Sequence, residues 1–438
     1  MSNDLLMIIV LFVGLMLVLF SGIPIVFALG GLAAVALVII KGPDSLSIVP
    51  MKALESMENF VLVAIPLFVF MASMLQRSGV AEDMYEAVYR WAGPVRGGLA
   101  IGTVFICAVM GAMTAVSAAA TISMGLIAIP SMLSRRYDKR MALGTVAAGG
   151  ALGQLIPPGT ILICLGIFAG LSIGKLFAGG AVAGVVLACL FAAYILVRCA
   201  LQPEMGPALP RGDRATWNQK IKSLKAVAWP VIIILMVLGT IFGGVTTITE
   251  AAAMGALGSF LATFFNHKLT WKGLRESLYQ TAKISAMIMW IIFAGMAFNS
   301  VCTAIDAAEV VSSLLTSLEI NRWGVVLIMQ AILLVLGCLL EPIGIVMITS
   351  PIFFPTIISL GFDPIWFGVL FVMNMEMSYI TPPVGFNIFY LKAIAPEGTN
   401  LVDVYWGVIP FIMLQALGII ICMVFPQIIT WLPNILLK

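Results

Sequence analysis

Along its 438 residues the chain alternates long apolar runs with short polar joints. Charge-poor stretches near 4–21, 23–40, 60–76 and 175–197, and again near 226–244, 249–265, 284–302 and 406–434, approach the roughly 20 residues that carry a helix across a bilayer. Two further stretches, 141–171 and 364–391, are equally apolar but hold adjacent prolines in GQLIPPGT (153–160) and SYITPPVG (378–385). A proline inside a helix removes a donor and clashes with the preceding turn, at a cost of about 3 kcal/mol. The halves of 141–171, about 16 and 13 residues, are too short to cross alone, so each such stretch is read as one crossing broken at its centre.

Residues 97–134 are a different object, 38 positions without Asp, Glu, Lys, Arg or His. As one helix they would run about 57 Å, nearly twice the hydrocarbon thickness, so the segment must turn back. Its centre, GAMTAVSAAAT (111–121), is built of small and hydroxyl residues, and Arg96 and Arg135 flank it on what must be one side. Residues 323–362 repeat the design around LLEPIGIV (339–346). Both are predicted to be helical hairpins with tips inside the membrane. Two amphipathic pieces, 82–91 and 270–283, are too charged to cross and are expected along the interface.

Composition fixes the class. With 62% hydrophobic and 10% charged residues and a mean hydropathy of +1.13, the chain is a polytopic membrane protein and no nucleic-acid binder. This topology puts eighteen basic residues on one side, among them Arg77, Arg135, Lys139 and the cluster from Arg211 to Lys225. Only Lys41, Lys52, Lys175, Arg322 and Lys438 fall on the other. The positive-inside rule then makes 201–225 a cytoplasmic linker and puts both termini outside the cytoplasm. No small-residue cleavage site follows the run Leu5–Phe20, which is read as a span and not a removed signal. The seven cysteines lie in or beside apolar segments and read as small core residues, and the one histidine, His267, sits in a loop.

The halves match. An ungapped offset of 225 relates Pro157-Pro158 to Pro382-Pro383, Asp138 to Asp363, Pro130 to Pro355, Met71 to Met296 and Gly30 to Gly255. The predicted organisation is a first repeat (1–200), the linker (201–225) and a second repeat (226–438), each with three spans, a hairpin, a broken span and a last span. Five crossings per half is an odd number, so the second repeat is inverted. The fold class is therefore all-α with about ten crossings, two hairpins and two Pro-Pro broken helices, the architecture of secondary transporters. Broken helices free carbonyls that can bind a cation such as Na⁺, and half-helix N-termini that favour an anion.

Thr114 and Ser117 at the first tip can supply hydroxyl ligands, whereas Ala118–Ala120 suit plain helix packing. Three carboxylates lie in apolar stretches, Glu250, Glu341 and Glu376, and intramembrane acids tend to be functional. Glu250 also fits a helix cap. Glu341 ranks first, being the only charge in its hairpin. An intramembrane enzyme lacks its acid-base parts here, because His267 is in a loop and the acids form no dyad on adjacent spans. A passive channel would show neither saturation nor dependence on a Na⁺ gradient.

At these residues the chain resembles the large membrane (M) subunit of tripartite ATP-independent periplasmic (TRAP) transporters, in the wider ion-transporter superfamily. The likeness runs through GIPIVFALGG (22–31), GQLIPPGT, TTITEAAA (246–253), GCLLEPIGIVMITSPIF (337–353) and SYITPPVGFNIF (378–389). The resemblance implies an elevator mechanism in a bacterial inner membrane and import of an organic acid (sialic acid, a C4-dicarboxylate or another sugar acid) coupled to two or more Na⁺. It also implies two partners, a soluble periplasmic substrate-binding protein and a separate small four-helix (Q) membrane subunit. Carried over by position, one Na⁺ site would use Thr114 and Ser117 with Gly153, Ile156 and Pro158; the other would use Gly337, Ser378, Thr381 and Val384. Glu341, Thr114 and Thr381 are expected near the substrate. The chain departs from the family pattern at Ala115 and Val116 (usually Gly-Ser), at Ile248 (usually Pro) and at Glu341 (usually Asp). The alternative is a stand-alone Na⁺-coupled anion symporter or antiporter that needs no binding protein.

Overall fold

The computed structural model describes residues 3–437 apart from 115–116, 211–213, 318–320 and 397. The first half runs α1 (Asn3–Phe20), α2 (Ile25–Lys41), α3 (Ile48–Met57), α4 (Ala64–Gln76), α5 (Val80–Ala92), α6 (Gly98–Thr114), α7 (Ser117–Ser134), α8 (Lys139–Ala151), α9 (Thr160–Phe168) and α10 (Ile173–Leu201). A linker helix α11 (Trp217–Ser223) leads to α12 (Lys225–Ile234), which passes through a π-turn into α13 (Thr240–Phe242). Then follow α14 (Ile248–Phe265), α15 (Trp271–Ala304), α16 (Ala307–Ser317), α17 (Arg322–Gly337), α18 (Pro342–Ser359), α19 (Pro364–Tyr379), α20 (Phe386–Ile394), α21 (Leu401–Val424) and α22 (Gln427–Leu436). Among the described residues there is no strand.

The offset seen in a few identities organises the helices. Moved by 225 positions, α7 lands on the bounds of α18, and α5, α6, α8, α9 and α10 land within three residues of α16, α17, α19, α20 and α21. Packing between halves comes in exchanged pairs: α4 on α14 with α2 on α15, α8 on α21 with α10 on α19, and α7 on α20 with α9 on α18. That exchange is the contact pattern of two units related by a two-fold axis. Local signals repeat with it. The Asp138 carboxylate accepts from Met141 N (2.9 Å) to start α8, and Asp363 accepts from Ile365 N (2.7 Å) to start α19. Each cap is worth about 1 kcal/mol.

Two expectations are revised. The segment 270–283 is no separate interfacial piece; α15 runs through it as one 34-residue helix. In the first half the same stretch breaks, with Pro43–Met57 and Phe60–Gln76 meeting at 64°. The Asn59 side chain accepts from Val61 N there and stops the helix, whereas the equivalent position holds Ile284, which packs. The last span ends at Val424 because Pro426 cannot continue it, and α22 turns back to pack on α10. Helices α3 and α16 were not foreseen.

Among the described residues seven helices are individually long and apolar enough to cross a bilayer, eight if the bent pair counts as one span. Two of the seven are hairpin arms, α7 and α18, and neither broken helix qualifies by its separate halves. Six cysteines are buried, while Cys189 is exposed on α10, so it is not a core residue; all seven are free thiols. Large exposed apolar side chains such as Ile39 and Met413 suit a hydrocarbon solvent.

Candidate functional site

The broken helices α8–α9 and α19–α20 form the centre. In each, a short irregular segment holds a cis Pro-Pro bond, Pro157-Pro158 and Pro382-Pro383. Gly385 opens α20 at φ 41°, a left-handed value that a side chain disfavours. Each break lies against the end of a hairpin arm at very close range. An ideal Cβ on Gly111 of α6 would sit 2.3 Å from Gly153 Cα, and one on Gly337 of α17 would sit 2.3 Å from Ser378 Oγ.

Of the first predicted cation site, Thr114 ends α6, Ser117 opens α7, and Gly153 lies beside them: a Cβ on Gly153 would be 3.7 Å from Ser117 Cα. Thr114, Ser117 and Gly153 are buried. The Ser117 hydroxyl donates to Asn387 Oδ1 (2.9 Å), and the Asn387 amide donates to Ala147 O (3.1 Å). With its proton engaged, Ser117 Oγ keeps its lone pairs for a cation. Ile156 turns its side chain towards Gly184 of α10, and Pro158 is buried in the break. Ala115 and Val116 lie outside the described residues.

In the second predicted site Gly337 and Ser378 touch. Ser378 donates to Asn374 O (2.9 Å), and Thr381 donates to Met377 O (2.6 Å), which leaves both oxygens with lone pairs in the manner of Ser117. Val384 is half-buried immediately after Pro382-Pro383. Among the described residues no three His, Cys, Asp or Glu side chains gather, so a cation at these breaks would meet hydroxyl and carbonyl oxygens, the set that suits hard ions.

Between the tips lies a cavity of about 150 Å³, lined by Ser117, Gln154, Thr160, Glu341, Tyr379 and Tyr390 among others. Four helices begin at its wall: α7 at Ser117, α9 at Thr160, α18 at Pro342 and α20 at Phe386. Each N-terminus carries about half a positive charge and orphan N–H donors. Glu341 accepts from Gly344 N (3.3 Å) and so caps α18 while facing the cavity. Thr114 and Thr381 do not line it. Glu250 is held in a capping box with Thr247 on the exposed start of α14, so its part is structural.

Four residues carry polar contacts that the sequence reading missed. Gln154 Nε2 donates to Tyr379 OH (2.9 Å), a pair separated by 225 positions and therefore equivalent in the two repeats. The offset could have found it. Asn387 is the sole amide side chain in the apolar helix after the second break. Glu376, noted as an intramembrane acid, accepts from Leu155 N (3.0 Å) and from Gln415 Nε2 (3.1 Å), tying the first break to α19 and α21.

Two hairpins and two broken helices, paired across a two-fold relation around one cavity, define a membrane transporter of the secondary type. The chain belongs to the family of the DctM component of the tripartite ATP-independent periplasmic transporter, whose model matches residues 12–428. It is 33% identical over 405 residues (92% of this chain, 93% of the relative) to the C4-dicarboxylate TRAP transporter large permease protein DctM of Pseudomonas aeruginosa. It is 26% identical to the sialic acid TRAP transporter large permease protein SiaM of Vibrio cholerae, covering 96% of each chain. Its fold is similar to that of the Alcanivorax borkumensis YdaH transporter, with a TM-score of 0.64 at 13% identity, covering 95% of this chain and 99% of that one.

Proposed function

We propose that this chain is the translocating permease of a Na⁺-coupled, binding-protein-dependent importer of an organic acid. The observation that carries the reading is the meeting of four helix N-termini at one cavity: Glu341 occupies that of α18, but α9 and α20 open at Gly159 and Gly385 with no side-chain cap, and so offer an anion a receptor where no Lys or Arg lines the wall. Na⁺ at the two breaks would bind as co-substrate to Thr114, Ser117, Gly153, Ile156 and Pro158 on one side and to Gly337, Ser378, Thr381 and Val384 on the other. Its charge would draw the hairpin tips against the breaks and close the cavity over the acid. The unit of hairpins and broken helices would then slide against the remaining helices as an elevator.

The family is one component of a tripartite transporter, so the partners proposed are a small four-helix (Q) membrane subunit and a soluble periplasmic binding protein that delivers the acid. The complex would sit in a bacterial inner membrane with both termini of this chain periplasmic. The 33%-identical relative makes a four-carbon diacid the first substrate to assay, with sialic acid second. The test is uptake of labelled succinate and sialic acid into proteoliposomes holding this chain and the small subunit, with and without an inward Na⁺ gradient and the binding protein. Uptake that needs both supports the proposal. Uptake without the binding protein makes the chain a stand-alone transporter, and uptake indifferent to Na⁺ removes the coupling.

A further inference from the structure

Three hydrogen-bonded links join the first hairpin tip and the first break to α19 and α20 across the repeat axis. Ser117 of the first hairpin tip is bonded to Asn387 of α20 (2.9 Å); Gln154 to its own equivalent, Tyr379 (2.9 Å); and Leu155 N to the Glu376 carboxylate (3.0 Å). The third is the most informative. Leu155 lies between Gly153 and Ile156 of the first proposed cation site, and Glu376 lies on α19 two residues before Ser378 of the second. Glu376 is fully buried, and no Lys, Arg or His pairs with it among the described residues. Its second oxygen is held by Gln415 Nε2 (3.1 Å), and Gln415 Oε1 is itself buried without a partner. The carboxylate is therefore fixed at both oxygens, one end on the backbone of the first break and the other on α21.

We infer that these links make the two cation sites one cooperative unit, with Glu376 as the positioning residue that transmits ligation at one break to the other. An ion that pulls the carbonyls around Gly153 and Ile156 moves Leu155 N, which is shared between Leu152 O and the Glu376 carboxylate. Displacing Glu376 shifts the turn of α19 that carries Ser378. A buried hydrogen bond to a carboxylate resists stretching because its loss leaves a carboxylate oxygen without its donor where no water can replace it. This inference rests on the proposal that the breaks bind Na⁺.

The test is equilibrium binding of radiolabelled Na⁺ to the purified protein, which reads stoichiometry and cooperativity separately. Two coupled sites give a Hill coefficient approaching about 2, and independent sites give about 1. We expect Glu376→Leu and Tyr379→Phe to lower the coefficient towards about 1 while two ions still bind. Glu376→Gln is expected to keep it: its amide oxygen can still accept from Leu155 N, and a turned Gln415 amide can accept from its NH₂. Should Glu376→Leu fail to fold, Tyr379→Phe, which removes one oxygen, carries the test alone. Wild-type cooperativity in both Leu and Phe variants overturns the inference, as does a loss of cooperativity in Glu376→Gln. A wild-type protein that binds no Na⁺ removes the coupling proposal first, and this inference with it.

Discussion

A methyl group on Gly111 probes whether the hairpin arm must touch the break for the ion to bind. The Cβ of Gly111→Ala would lie 2.3 Å from Gly153 Cα and 3.2 and 3.3 Å from Gly153 N and C, all backbone atoms with no side chain to swing aside. Ordinary contact begins at 3.4 Å, so α6 and the turn after α8 must part by roughly 1 Å in a core that packs without slack. Overpacking of this kind costs about 1–3 kcal/mol. Part of that cost falls on the fold itself, and the part that falls where a bound Na⁺ would bridge Ser117 and Thr114 to the break weakens Na⁺, by up to about 150-fold. The assay is a Na⁺ titration of uptake in proteoliposomes, with Gly31→Ala as the control. Gly31 lies within α2 with nothing inside 4 Å of its Cβ, so alanine there is neutral or gains about 0.5–1 kcal/mol. Half-saturation unchanged in a folded Gly111→Ala protein would refute the reasoning.

The second break offers the mirror experiment: Gly337→Ala brings Cβ to 2.3 Å from Ser378 Oγ and 2.5 Å from Ser378 Cβ. It should lower both thermal stability and Na⁺ affinity, and adding Ser378→Gly should recover only the stability, as read by melting curves beside the titration. Ser117→Ala and Thr381→Ala are each expected to raise the Na⁺ needed for half-maximal uptake, and no change in either rejects the side-chain ligands. Lys139 and Asp403 pair at 2.8 Å with side chains 34% and 25% exposed. Lys139→Ala should therefore cost under about 1 kcal/mol, and the difference should shrink in high salt, as melts at two ionic strengths would show.

Much of the site was legible because membrane insertion leaves coarse marks. An uncharged run of 38 residues cannot be one span, and a Pro-Pro pair cannot sit in an unbroken helix. Those two constraints placed the first hairpin and both breaks, the repeated design placed the second hairpin around Glu341, and the structure turns α6–α7 and α17–α18 where they implied. Helix continuity across Lys283 and Ile284 was harder to read. Charge argued for a separate surface piece, but only a side chain that competes for backbone, as Asn59 does in the other half, would have stopped the helix. Glu341 was placed at the tip by sequence, whereas its duty as the cap of α18 depends on the chain's path beyond it.

The sequence by itself determined the class, the two hairpins, the two breaks and the offset of 225 between halves, because hydropathy and proline act through local length and backbone chemistry. Only the tertiary structure decided which residues meet. Gln154 finds Tyr379, Ser117 finds Asn387 and Leu155 N finds Glu376 across sequence separations of 221 to 270. Such partners are set by how two halves dock about an axis. A buried donor there must find an acceptor within hydrogen-bond reach in space, and nothing in the neighbouring sequence says where that acceptor is.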